Sequence, residues 1–256
     1  MVYIRLAWTV HVAMALAVLV TTLLWSVARA STQPRAMRAC VGKGDAVGEY
    51  GGHIAAVVIS MDEDRYNATR AGIPFANVSR VVPWKADRRD ESAKRMSNFG
   101  TWTDVLAEFA SDHDAPDSQW RMFFEDDATP HAGANVESAI RSAMYLARHD
   151  GLLYMGMCGA RCASCEDDAP HRFKRCVGLC TCAFACTKLE AARLTRDMEL
   201  MADLVPDQDY RSHFDVVMMQ RGPAWLVGAD MVSDQVADHT GLFYQDRKRF
   251  PSNFAG

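Results

Sequence analysis

Apolar residues along this chain fall into short continuous runs separated by stretches of helical spacing, and that alternation predicts a layered α/β structure. The first run, "HIAAVVIS" (His53–Ser60), is β-branched and of strand length. "MDEDRYNATRAG" then predicts a loop entering a short helix that stops at Gly72. "VSRVVPW" (Val78–Trp84) reads as a second strand, closed by Pro83. Met96, Phe99, Trp102, Leu106 and Phe109 recur at helical spacing between Ser92 and Ala110, with Gly100 as a soft spot.

"WRMFF" (Trp120–Phe124) predicts a third strand. Asn135–Gly151 carries Val136, Ile140, Met144 and Ala147 on one face and ends at a glycine stop, so it reads as a helix. "LLYMGM" (Leu152–Met157) is another buried strand, and Thr187-Lys-Leu-Glu190 fits a capping box opening a helix that runs to about Leu204. These strands are continuously apolar rather than alternating. That favours a mostly parallel sheet covered by helices on both faces.

The N-terminus adds a compartment. Leu6–Ala28 contains no Asp, Glu, Lys or Arg and follows Arg5. Roughly 20 apolar residues span a bilayer as a helix, so residues 1–30 read as a signal-anchor, with a cleaved signal peptide ending at "ARA" (Ala28–Ala30) as the alternative. Residues 31–52, small, polar and glycine-rich, read as a stem, and 53–256 as the main domain. Either reading sends the domain into the secretory lumen (ER or Golgi), as a type II membrane protein or a secreted one. The sequons Asn67-Ala68-Thr69 and Asn77-Val78-Ser79 are compatible with that destination.

There are eight cysteines, seven of them between Cys158 and Cys186. An oxidising lumen makes disulfides the default, most simply four with Cys40 included, the segment 158–186 forming a cysteine-rich insert. Zinc is one alternative, on Cys162, Cys165, Cys180 and Cys182, and free thiols are another. The formal net charge of −4 and the scattered basic residues argue against nucleic acid as a partner.

The chemistry concentrates in "WRMFFEDDATP" (Trp120–Pro130), where a strand runs into Glu125, Asp126 and Asp127. In open α/β sheets ligands bind beyond the carboxyl ends of the strands. A carboxylate pair there suits Mg²⁺ or Mn²⁺, hard cations that leave positions open for phosphate oxygens. A solvated acidic turn is the plainer alternative.

In order along the chain, "AAVVISMDEDRYNATRAG", "MFFEDDATP", "LLYMGMC", "CTCAFACTKLEAARL" and "GLFYQDRK" resemble glycosyltransferase family 25, over roughly residues 54–250. Those are the lipopolysaccharide- and procollagen-type galactosyltransferases. The resemblance implies a GT-A-like, Rossmann-like fold, a nucleotide-sugar donor such as UDP-galactose, a glycan or protein acceptor, Mn²⁺ (or Mg²⁺) and inverting transfer to a hydroxyl. It also implies that Asp127 and Glu125 serve the metal, with His239 as a third ligand. Glu125 or Asp126, with Ser60, Met61, Asp62 and Arg65, would form the donor pocket. Inversion needs a general base; Asp215 is the first candidate and Asp246 the second. The plainer reading of Asp215 is a loop carboxylate ahead of a strand. A catalytically inactive, carbohydrate- or nucleotide-binding relative is the alternative function. The chain departs from the family at Ser97-Asn98, where a Ser-His pair is common, and at Cys182, where a His is common. The tryptophans, Trp102 among them, read as packing; Trp84 or Trp225 could face an acceptor, but nothing in the sequence selects them.

Overall fold

The computed structural model describes residues 40–42, 47–84, 91–165, 171–204, 214–231 and 239–246. The expected N-terminal anchor, residues 1–30, lies outside them, as do Arg247 and Lys248 of the late "LFYQDRK" segment. Among the described residues no helix is long and apolar enough to cross a membrane. All of them belong to one compact unit, Cys40–Gly256.

In chain order the elements are β1 (Cys40–Gly42), β2 (Ala55–Ile59), α1 (Glu63–Ala71), β3 (Asn77–Val81), α2 (Glu91–Ala110), β4 (Trp120–Glu125) and β5 (Ala128–Pro130). They continue with α3 (Val136–Leu146), a 3-10 turn (Ala147–His149), β6 (Leu152–Cys162), β7 (His171–Thr187), α4 (Lys188–Leu204), α5 (Phe214–Gln220), β8 (Ala224–Val227), β9 (His239–Gly241) and β10 (Phe243–Gln245). The main sheet runs β3-β2-β4-β7-β8-β6-β9, with β1 beside β7, and β5 pairs with β10 separately.

The α/β layering is as expected, but the sheet is mixed rather than mostly parallel. β2 is parallel to β3 and β4, and β6 to β8, whereas β7 is antiparallel to β1, β4, β6 and β8. The reason is the long β6–β7 hairpin. A hairpin return is antiparallel by construction, and this one occupies the middle of the sheet. The strands read as continuously apolar because both of their faces are covered, which parallel and antiparallel strands share equally.

Alternation along β4 divides the core. Met122 and Phe124 pack with Ile140, Ala143 and Met144 of α3 and Tyr66 of α1. Phe123 packs on the other face with Phe99, Trp102, Leu106 and Phe109 of α2, Leu194 and Met198 of α4, and Phe214 and Val217 of α5. Aromatic rings fill that second layer: Phe123 stacks on Phe184 at 4.9 Å and Trp102 on Phe214 at 4.9 Å. Trp102 is therefore a core residue. Helix α2 passes through Gly100 unbroken because that position accommodates the Trp84 ring; a Cβ there would lie 2.5 Å from it.

The folded unit begins before His53, so part of the expected stem belongs to the domain. Cys40–Gly42 pairs with β7, and the backbone around Tyr50 exchanges hydrogen bonds with Arg141 of α3. The expected cysteine-rich insert is likewise structural. Cys158 and Cys162 lie on β6, and Cys176, Cys182 and Cys186 on β7, the centre of the sheet.

Two disulfides are described, Cys40–Cys165 and Cys162–Cys176, and Cys158 is also disulfide-bonded. The four-bridge expectation fails at Cys182 and Cys186, which are buried free thiols. One packs in each core layer, on opposite sides of the sheet, so they cannot reach each other. The zinc alternative fails too, because Cys162 and Cys165 are taken up in separate disulfides.

Candidate functional site

The site forms where β2, β3 and β4 end together. Ile59 is in register with Val81 on one side and Glu125 on the other, so Ser60 and Asp126 emerge side by side at the carboxyl edge. The Ser60 hydroxyl donates to Asp126 Oδ2 at 2.7 Å, and the Ser60 amide donates to Val81 O at 2.9 Å. Asp62 caps α1, accepting from the amides of Asp64 and Arg65 at 2.9 and 3.0 Å. The cap stands three residues before Arg65, whose guanidinium meets the acidic turn. Arg65 Nη2 lies 2.9 Å from Asp126 Oδ1 and 3.8 Å from Asp127 Oδ2. From the next turn of α1, the Thr69 hydroxyl donates to Asp126 O at 3.0 Å.

A late segment closes the other side. β10 runs antiparallel to β5, Gln245 opposite Ala128. Gln245 Nε2 donates to Glu125 Oε2 at 2.9 Å, and the Asp246 amide donates to Asp127 O at 2.9 Å. Asp246 itself is buried. Asp215 enters from a third direction, in the first turn of α5 and not in a loop before a strand. Its neighbour Phe214 is stacked on Trp102, which fixes that end of the helix.

The charges feel one another. Burial raises the Glu125 pKa well above the usual carboxylate range, and the charges of Asp127, Asp215 and Asp126 push the same way, against the Gln245 hydrogen bond. Burial also raises the pKa of Asp126, opposed by the Ser60 hydrogen bond and the Arg65 charge. Cys182 lies against the same cluster: burial, then the charges of Glu125, Asp127 and Asp215, hold its thiol protonated. Four acidic side chains from β4 and its turn and from α5 thus share one partly enclosed edge. Functional sites gather carboxylates perturbed in this way, as do structural ion-pair networks.

No protein-family model matches the chain, and no curated protein matches it.

The expected residues separate into groups. Ser60, Arg65, Glu125, Asp126, Asp127, Asp215 and Asp246 meet at the edge just described. Asp62 acts as the α1 cap, and Met61 is exposed beside it. His239 is buried on β9, in register with Cys158 of β6. Among the described residues no three His, Cys, Asp or Glu side chains form a group that could hold a metal, so Glu125, Asp127 and His239 are not a preformed set. Trp225 is buried on β8 and cannot face an acceptor, whereas Trp84 is half exposed. Gln245 and Thr69 escaped sequence reading. An uncharged amide and a helix threonine carry no signal of their own; Gln245 was visible only as part of "LFYQDRK".

Proposed function

We propose that this chain is a luminal GT-A-type glycosyltransferase that moves a hexose, galactose first, from a nucleotide-sugar donor to an acceptor hydroxyl with inversion. The observation that carries the reading is the convergence of the acidic turn with Ser60, Arg65, Asp215 and Asp246 at the carboxyl edge of β2, β3 and β4. The disulfides support a secretory location, with residues 1–30 as its signal or type II anchor.

In this reading the donor diphosphate lies over the acidic turn, with Arg65 and the β2 end on one side of it. The carboxylates supply hard oxygen donors, which fit Mn²⁺ or Mg²⁺. Asp127 would hold the ion with help from Glu125. A diphosphate supplies further oxygens, so a preformed three-residue cage is not needed. The bound ion would offset charge on the departing nucleotide diphosphate. Asp126, tied to Ser60 and Arg65, joins the β2 and β4 loops rather than reaching outward. Asp215 takes the proton of the acceptor hydroxyl as its oxygen attacks the anomeric carbon and the bond to the diphosphate breaks. Asp246 is the second candidate for that role.

The test is a panel of nucleotide sugars with and without Mn²⁺, reading released UDP or GDP. Metal-dependent release from one donor, lost in Asp127→Ala, is the expected result. Flat release across the panel refutes turnover. A non-catalytic, nucleotide-binding protein is the second reading, favoured by Cys182 standing at the cluster, at a position where the family that the sequence resembles commonly has histidine. UDP binding without hydrolysis or transfer would establish it.

A further inference from the structure

The two sequons play no part in the proposed transfer reaction, and they flank β3, one from the helix beside it and one from the strand itself. Asn67 is exposed in the middle of α1, and Asn77 is exposed at the first residue of β3, the outermost strand of the main sheet among the described residues. The concavity between these elements is lined by Asn67, Arg70, Pro74 and Val78, and Asn77, next to Val78 along the strand, points to the other face of β3. The disulfides indicate passage through an oxidising compartment, where sequons become acceptors.

We propose that Asn67 and Asn77 both carry N-linked glycans, which together cover the β3 edge of the domain. The co-substrate is a polyprenyl-diphosphate-linked oligosaccharide. Each asparagine amide nitrogen forms the bond to the anomeric carbon, the bond from that carbon to the diphosphate breaks, the amide gives up a proton, and polyprenyl diphosphate leaves. Two hydrated glycans beside β3 protect an edge whose backbone would otherwise offer a template for pairing with another chain. The assignment does not depend on the glycosyltransferase reading.

The two sites differ in when they can be modified. Thr69, the hydroxyl residue of the first sequon, is 2% exposed and its hydroxyl is bonded to Asp126 O. A transferase that must engage that hydroxyl cannot reach it in the folded protein, so Asn67 is modified before α1 docks. Ser79 remains exposed.

The full chain, expressed through a eukaryotic secretory pathway, should lose mobility-retarding mass in two steps under limited peptide-N-glycosidase treatment. Peptide mass spectrometry should then find aspartate at 67 and 77. Asn67→Gln and Asn77→Gln should each remove one step and the double variant both. Asn67→Gln is the proper variant, because Thr69→Ala would also cut the bond to Asp126. Mapping Cys40–Cys165 in the same sample shows that the chain met the lumen. No glycan on disulfide-bonded chains, or chains whose cysteines are all reduced, overturns the proposal, and a glycan at only one asparagine overturns the other assignment. Offered the lipid-linked donor and oligosaccharyltransferase in vitro, the unglycosylated folded chain should stay unmodified at Asn67, while the unfolded chain is modified. Equal modification of both would overturn the order of events.

Discussion

Replacing Arg221 with methionine tests whether α5, and with it Asp215, is held by charge. Arg221 follows α5 directly and reaches back to α4. Its Nε and Nη2 lie 2.9 and 2.7 Å from Glu190 Oε1, and its Nη1 lies 3.0 Å from Asp197 Oδ2. Glu190 is only 3% exposed, and its other partner, Arg193, stands 3.3 Å away and is half exposed. Arg221→Met keeps the aliphatic stem but leaves the Glu190 carboxylate without its principal cation. Stranding a buried partner costs about 3–5 kcal/mol. Because the Arg221 side chain is 24% exposed, the lower end, about 3 kcal/mol, applies, or roughly 6–12 °C in Tm for a unit of this size.

The pH dependence gives the sign. Burial already raises the Glu190 pKa, and Arg221 opposes that rise. Without Arg221 the folded-state value climbs further above the unfolded one. The deficit should therefore be largest above the variant's folded-state pKa and shrink as the solution is acidified through it, where the carboxyl becomes neutral. Adding Glu190→Gln to Arg221→Met should recover most of the loss. Urea midpoints of both variants across pH 4–8 read all of this. A loss below about 1 kcal/mol, a deficit independent of pH, or a double variant no better than the single would refute the reasoning.

Gly156→Ala should cost about 1–3 kcal/mol, because the new Cβ would lie 2.3 Å from Phe243 O and 2.8 Å from Cys182 Sγ, and the backbone of β10 cannot yield cheaply; a Tm equal to wild type would refute this. Glu125→Gln, measured with chelator present, should be more stable than wild type at neutral pH. A carboxyl whose folded pKa is raised loses folding stability as pH rises from its unfolded value, about 4.3, through the folded one, by about 1.4 kcal/mol for each pH unit separating the two. Urea midpoints that favour wild type increasingly as pH rises would contradict it. Removing the Cys162–Cys176 bridge with paired serines should cost about 3 kcal/mol for a loop of this length, 14 residues in separation. An unchanged denaturation midpoint would mean that strand pairing alone holds the β6–β7 hairpin.

The strands and helices were legible because their signals are local. The β2 and β4 runs, the α2 stripe and the capping box before α4 each appear within a few residues of the expected place. The 3-10 turn and Gly151, at φ +76°, close α3 near its expected glycine stop. What could not be read was pairing. β6 runs on to Cys162 and β7 begins at His171, so the cysteine-rich stretch that looked like an appended loop is the middle of the sheet. Strand direction follows from that hairpin, and no periodicity records it. Asp215 was misjudged for a related reason: "FDVVM" is short and apolar, and such runs suit a strand or one turn of helix until Trp102 and Phe184 select the helical packing of Phe214.

For the site, the sequence supplied the acidic turn and its position after a strand, but not its neighbours. Gln245 lies 120 residues from Glu125 and meets it only because β10 pairs with β5. That pairing also explains why a late aromatic segment accompanies an early acidic one: the second closes over the first. Glu125 and Asp126 both have their pKa values raised, burial being the largest cause, and Asp127 and Asp215 add like charge to Glu125. Arg65 offsets part of the charge on Asp126 and Asp127, from an approach that leaves its side chain about a quarter exposed. A core-facing edge gains nothing from such an arrangement; alanine or serine there would fold at lower cost. In the proposed function, carboxylates kept together against their own repulsion are half of an interaction, the other half being the cation-bearing donor diphosphate.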